Sequence, residues 1–397
     1  MPYTSGLSTA GSVTQATSRV KHRVNVEAGT VELAYGNFYN NAGTETVGPN
    51  DITVKAYLEF PLASTYYVPV TFGGAPTVVI KPGGIVWSDP IALDLPVGST
   101  FYSRTNVSVA TTANRWPIGW ATLTADGEGV ITGVDYADGS GTVTANNTFC
   151  YSPLSIRGRT SCLTKAVAGI GDSIMSGSGD SNTKGWWFRS FTDVVPEQRI
   201  SYASEQATAF NRPDRRGLRL PLLDGCTHLI CANGVNDVKA PQTVATIKAE
   251  LISNWRYGMR RGMKVWQTTV TPVTTSTDGW VTTANQTVTA NEANRTAVND
   301  WLRDGAPLDS VTFAAQAIGS VSSELPSYVR TRDGSTVRAG AAGHPLTGVL
   351  EFADAVETSR NSGIWKAGYT SDGTHPLGAT GHGALAATFT LAQLGLA

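Results

Sequence analysis

Three short runs in this 397-residue chain carry side chains able to form a nucleophile, a proton acceptor and an anion-stabilising donor. The first is Gly169-Ile170-Gly171-Asp172-Ser173. Its small residues let an apolar strand turn sharply, which leaves a serine hydroxyl at the carboxyl edge of a sheet, where open α/β folds take their ligands. The second is Gly234-Val235-Asn236-Asp237, whose asparagine amide can serve as a fixed donor toward developing negative charge. The third is Ser371-Asp372-Gly373-Thr374-His375-Pro376. A carboxylate three residues before an imidazole can reach back to it, fix its tautomer and stabilise the imidazolium formed when it takes a serine proton. Each run also has a plain structural reading: a strand-to-turn junction, a Gly/Asn/Asp turn and a helix cap. The tripeptide GDS alone arises by chance in roughly one chain of this size in ten.

The elements that must position these residues follow from periodicity. Between residues 31 and 143 the pattern is two-periodic. Ile52, Val54, Ala56, Leu58 and Phe60 face one way and Thr53, Lys55, Tyr57 and Glu59 the other. Phe101, Ser103, Thr105, Val107 and Val109 alternate in the same way with Tyr102, Arg104, Asn106 and Ser108. Turn signals such as Gly73-Gly74 and Asp138-Gly139 separate the runs, so this half is expected to be an all-β, jelly-roll-like sandwich. After Tyr151-Ser152-Pro153, apolar strands alternate with helical stretches, the pattern of a mostly parallel sheet covered on both faces. Strands are expected over 165–170, 228–232, 264–270 and 349–352. Helices are expected over 241–262, 291–303 and 384–394. The expected organisation is an N-terminal extension (1–25), a β-domain (26–150), a linker (151–164) and an α/β domain (165–397). Residues 321–345 show neither period and read equally as a substrate-facing lid or a disordered excursion.

The order Ser, then Asn, then Asp…His resembles the SGNH, or GDSL, hydrolase family of esterases and lipases. The resemblance covers residues 165–397 and three of the family's four blocks. It implies a flavodoxin-like three-layer α/β/α fold preceded here by an added β-domain. It also implies Ser173 as nucleophile, Asp372 and His375 as its triad partners, and Asn236 with the Ser173 backbone N–H as oxyanion donors. The remaining block departs. Where the family has a glycine, the matching stretch Ser201-Tyr202-Ala203-Ser204-Glu205-Gln206-Ala207-Thr208 aligns Gln206, and since a backbone donor survives any side chain, the resemblance makes the Gln206 N–H the expected further oxyanion donor. No metal or organic cofactor is needed for such a mechanism.

Composition limits the alternatives. Hydrophobic residues form 41% of the chain, which is globular, and charged residues only 15%, with 42 glycines, a balance suited to turn-rich β-structure. A formal net charge of −1 gives no reason to expect nucleic acid as partner, and no apolar run is long enough for membrane insertion. The N-terminus lacks the apolar core of a secretory leader. That leaves a cytoplasmic protein, a mature protein expressed without its leader, or a phage structural protein. Cys226 and Cys231 read as buried thiols, whereas Cys150 and Cys162 bracket the linker and could close a short loop. No G-x-S-x-G, P-loop, G-x-G-x-x-G or HExxH occurs. His344 reads as loop and His382 as packing, and Asp172 and Asp237 as structural hydrogen-bonding residues. Trp186, Trp187, Trp280, Trp365 and Tyr369 read first as core, and alternatively as the walls of a sugar cleft.

The expected activity is hydrolysis of a carboxylic ester through an acyl-serine, with an acetylated carbohydrate or other small ester as partner. Two other readings stay open: a hydrolase of longer acyl or aryl esters, and a carbohydrate-binding phage-tail or adhesin-like protein with a vestigial hydrolase fold. Acyl transfer to a sugar hydroxyl would use the same triad.

Overall fold

The computed structural model describes residues 6–9, 11, 13–61, 66–181, 184–210, 217–321 and 335–397. It is a mixed α/β protein with many sheets. The chain divides into two compact units, one made of Met1–Lys165, Asp193–Tyr202 and Asp214–Gly225, the other of Ala166–Thr192, Ala203–Pro213 and Cys226–Ala397.

The first unit is built on ten principal strands: β1 (Gln15–Arg23), β2 (Ala28–Gly36), β3 (Ile52–Glu59), β4 (Tyr67–Val70), β5 (Thr77–Ile80), β6 (Ile85–Trp87), β7 (Ile91–Leu95), β8 (Thr100–Ser108), β9 (Gly129–Thr132) and β10 (Ser155–Arg159). One sheet runs β9-β1-β8-β3-β4, with β5 also on β3. The other runs β7-β2-β10, with β6 also on β2. All these pairings are antiparallel. The alternation in β3 works as expected: Ile52, Val54, Ala56 and Leu58 join Val31, Leu33 and Tyr35 of β2 and Phe101 and Val107 of β8 in one apolar core. Both faces of β8 are buried, however. The stretch 134–141 covers its polar face, where Arg104 donates to the carbonyls of Tyr136 and Gly141, and Asn106 to that of Val134.

Two segments differ from the sequence expectation. Residues 15–23, placed in an N-terminal extension, form β1, which lies between β8 and β9. Residues 155–159, placed in a linker, form β10 on the edge of β2. Both are polar strands of the kind in which charge masks the two-residue period. Later segments also belong here. Gln198 donates to the Leu154 carbonyl, Asn25 to that of Val195, and the buried Arg219 guanidinium lies 3.0 Å from Glu45. No disulfide joins Cys150 and Cys162, the first buried and the second exposed, and none joins Cys226 and Cys231, of which Cys231 is buried as expected but Cys226 only half-buried.

In the second unit four parallel strands lie side by side in chain order: β11 (Val167–Gly171), β12 (His228–Ala232), β13 (Lys264–Thr268) and β14 (Gly348–Leu350). Helices α1 (Ser173–Ser176), α2 (Gly185–Phe191), α3 (Ala207–Phe210), α4 (Val235–Lys239), α5 (Val244–Arg260) and α6 (Glu292–Arg303) alternate with them. The long helix α5 starts where the Thr243 hydroxyl accepts from the Thr246 N–H, two residues after the Pro241 expected at its first turn. Its stripe of Ile247, Leu251 and Trp255 is fully or nearly fully buried, and Trp255 stacks on Trp301 of α6. The expected single helix over 384–394 is two: α7 (Gly378–Ala386) and α8 (Leu391–Leu394), the latter opened by a Thr390/Gln393 capping box. Of the stretch 321–345, read equally as a lid or an excursion, residues 322–334 lie outside the described residues. No described helix is long and apolar enough to cross a membrane.

Candidate active site

Ser173 is the first residue of α1, directly after β11. The turn is held from three sides. Asp172 caps it, its Oδ1 accepting from the Ile174 N–H at 2.9 Å, while its carbonyl accepts from both the N–H and the hydroxyl of Ser176. The Ser173 carbonyl accepts from the Ser178 N–H. The tight approach depends on Gly169 and Gly171, where an added Cβ would press on Trp187 and Met175.

Asp372 and His375 arrive on the loop before α7. The Asp372 carboxylate folds back on its own segment, Oδ1 accepting from the Thr374 and His375 N–H groups at 2.9 and 2.8 Å. Its Oδ2 lies 2.6 Å from His375 Nδ1, and His375 Nε2 lies 2.8 Å from Ser173 Oγ. With an ionised carboxylate on one side, Nδ1 carries the proton and Nε2 is left to accept from the serine hydroxyl. Burial alone would raise the Asp372 pKa, but the hydrogen bonds from the His375 ring and from the His375 and Thr374 N–H groups outweigh it and hold the carboxyl well below the usual range. Gly373, at a φ of 73°, makes this loop possible. A side chain there would run into the Thr274 carbonyl and the Trp280 ring, and the Gly373 carbonyl receives the Thr274 N–H and the Trp365 indole N–H. The structure thus joins Ser173, His375 and Asp372 in one chain of hydrogen bonds. Ser173 is almost buried, the His375 side chain is 25% exposed and that of Asp372 50%.

Asn236 and Asp237 lie in α4, directly after β12, and together they hold the stretch 205–208. Asn236 Nδ2 donates to the Glu205 carbonyl at 3.0 Å. Asp237 accepts from the Ala207 N–H at 3.0 Å and from the Thr208 hydroxyl at 2.8 Å. Burial raises the Asp237 pKa against the pull of these bonds. Between the anchored residues, the Gln206 N–H has no acceptor among the described residues, and neither has that of Ser173. One hydrogen of the Asn236 amide stays uncommitted.

Two other histidines, His382 and His344, are structural. His382 accepts from the Trp186 N–H through Nδ1 and bonds the Ser178 carbonyl through Nε2, and burial pushes its pKa down to about 4. His344 likewise spends both nitrogens, on the Ala306 carbonyl and the Leu346 N–H. Trp186, Trp187 and Trp365 are wholly buried, whereas Trp280 and Tyr369 are half-buried. Sequence reasoning missed Gly179. At a φ of 92° it packs against the Pro376 carbonyl and the His375 Cβ, and its carbonyl accepts from the Gly378 N–H, so it keys the loop after the serine to the loop bearing the histidine. The only signal was one glycine in a Ser/Gly-rich stretch. Among the described residues no group of three or more His, Cys, Asp or Glu could hold a metal ion.

No family model matches the chain, and no curated protein does. Solved structures similar to it include a GDSL-like lipase from Bacteroides thetaiotaomicron, 14% identical over 58% of this chain and 87% of that one, with a TM-score of 0.37. A member of the lipolytic G-D-S-L family from Veillonella parvula is 12% identical over 56% of this chain and 94% of that one, with a TM-score of 0.34. An active-site mutant of a family two carbohydrate esterase from Clostridium thermocellum is 13% identical over 100% and 99% of the two chains, also with a TM-score of 0.34. The chain is similar, at this distance, to hydrolases of the GDSL kind.

Proposed function

We propose that this chain is a serine hydrolase of the SGNH type that cleaves carboxylic esters, with Ser173, His375 and Asp372 as its catalytic triad. The observation that carries the proposal is the hydrogen-bonded relay, 2.8 Å from serine to imidazole and 2.6 Å from imidazole to carboxylate. His375 Nε2 takes the hydroxyl proton as Ser173 Oγ attacks the ester carbonyl carbon. Asp372 holds the ring and offsets its new positive charge. The Ser173 N–H, the Gln206 N–H and the free hydrogen of the Asn236 amide bind the carbonyl oxygen as it becomes an oxyanion. Collapse expels the alcohol, protonated by His375, and leaves an acyl-serine. Water, deprotonated by the same imidazole, then releases the acid.

For the substrate we propose a short acyl group, acetyl above all, on a carbohydrate. The half-buried Trp280 and Tyr369 support this reading, because aromatic faces stack on sugar rings. So does the β-rich first unit, read as a jelly-roll-like sandwich in the same chain as a flavodoxin-like hydrolase domain. The test is twofold. A fluorophosphonate probe should label the wild-type protein at Ser173 and leave Ser173→Ala unlabelled and without ester turnover. A wild-type protein that resists the probe would show a vestigial site. On nitrophenyl esters, activity should drop steeply from acetyl to octanoyl, and a rise toward octanoyl would replace the carbohydrate reading with a lipase-like one.

A further inference from the structure

Next to the turn that carries Ser173 lies a small cavity that the relay does not use. Its volume is about 20 Å³, above the roughly 10–15 Å³ that one water molecule needs. Three chain segments bring polar side chains to it: Asp172 from the nucleophile turn, Asn233 from the end of β12, and Thr271 from beyond β13. The three residues are 1%, 2% and 3% exposed. Four of their atoms are buried without a hydrogen-bond partner: Asp172 Oδ2, Asn233 Oδ1, Asn233 Nδ2 and Thr271 Oγ1. Folded proteins rarely leave such atoms unmet, and four at one cavity, from three segments, match the two to four hydrogen bonds a buried water makes. The neighbouring Thr269 hydroxyl contributes nothing more, being engaged by Glu351 and by the Phe352 and Ala353 N–H groups.

We propose that this cavity binds one ordered water, which joins the free oxygen of Asp172 to Asn233 and Thr271 and so makes Asp172 a positioning residue for Ser173. Asp172 is suited to transmit the constraint. Its other carboxyl oxygen caps the serine turn through Ile174, and its carbonyl holds Ser176. The water thus fixes the carboxyl orientation, and the carboxyl fixes the turn. The positioning role rests on the proposed esterase reading, whereas the water site does not.

A high-resolution crystal structure of the full chain tests the site. The expected result is density for one water within about 3.2 Å of Asp172 Oδ2, Asn233 and Thr271. A dry cavity, or Asp172 bonded directly to Asn233, overturns it. Thr271→Val removes one partner while keeping the side-chain shape. On nitrophenyl acetate it should lower kcat about three- to tenfold, the worth of one hydrogen bond, with KM unchanged, and Thr271→Ser should restore the wild-type rate. Wild-type kcat in Thr271→Val removes the positioning role. Its crystal structure gives the same answer without turnover, because Ser173 Oγ should then sit farther from His375. Water present in a protein that hydrolyses no ester upholds the site and refutes the esterase, and an active enzyme with a dry cavity does the reverse.

Discussion

Asp172 and Asp372 show how two carboxylates in one site are pushed apart. The hydrogen bonds of its own loop hold Asp372 ionised, while burial pushes Asp172 up to about 7, against the Ile174 N–H and the nearby His375 charge. A raised acid has a definite linkage sign. The folded protein keeps a proton on Asp172 that the unfolded chain releases near pH 4, so this residue's effect lowers stability as pH rises from about 4 to about 7. Asp172→Asn cannot titrate. Its stability relative to wild type should therefore climb across that window and level off above it, as measured by denaturant titration at a series of pH values, and parallel curves would refute the assignment. On the proposed mechanism, Asn236→Ala should cost on the order of 10² to 10³ in kcat through a lost oxyanion donor. Part of that loss reflects the released Glu205 carbonyl, and it would show as lower thermal stability. At this scale the sequence was legible where spacing itself carries chemistry, as in Asp372 and His375 or Asn236 after a strand. Asn233 and Thr271 were illegible, because a lone amide and a threonine before proline have no pattern until three strands bring them together.

Elements were legible in proportion to their apolar period. Helix α5 announces itself through Ile247, Leu251 and Trp255, whereas the glycine-rich GATGHGALA of α7 has low helix propensity and hides its helix. Gly381 explains that composition, since a Cβ there would press on the Tyr369 carbonyl and on Pro376. The break before α8 did have a signal, the Thr390-x-x-Gln393 capping box. Loop elements around the site depend on backbone that only glycine adopts easily. Gly373→Ala combines a positive φ with a collision at the Thr274 carbonyl. The loop must move, so turnover should fall at least tenfold and the melting temperature should drop by several degrees, for a cost of about 1–3 kcal/mol. A variant with wild-type turnover would show that the Asp372 loop tolerates displacement.

Over the whole molecule, the strand periods made an all-β half followed by an α/β half readable, but not the route of the chain between them. Segments Asp193–Tyr202 and Asp214–Gly225 follow the start of the α/β half in the sequence, yet they group with the first unit. The polar contacts that help hold them, Gln198 on Leu154, Val195 on Asn25 and Arg219 on Glu45, leave no periodic trace. A fragment beginning at residue 166 would keep Arg219 without Glu45, and stripping one member from a buried ion pair costs roughly 3–5 kcal/mol. Such a fragment should be insoluble or poorly folded, and a soluble, fluorophosphonate-reactive one would refute this. The same interleaving bears on how the protein is made. The first 165 residues emerge from the ribosome without two of their own pieces, which follow within the next 60 residues, up to Gly225. At about 5–20 residues per second, that is a wait of roughly 3–12 s before the β-rich half is complete. During that interval nascent strands stand open to chaperones, and to one another on neighbouring ribosomes.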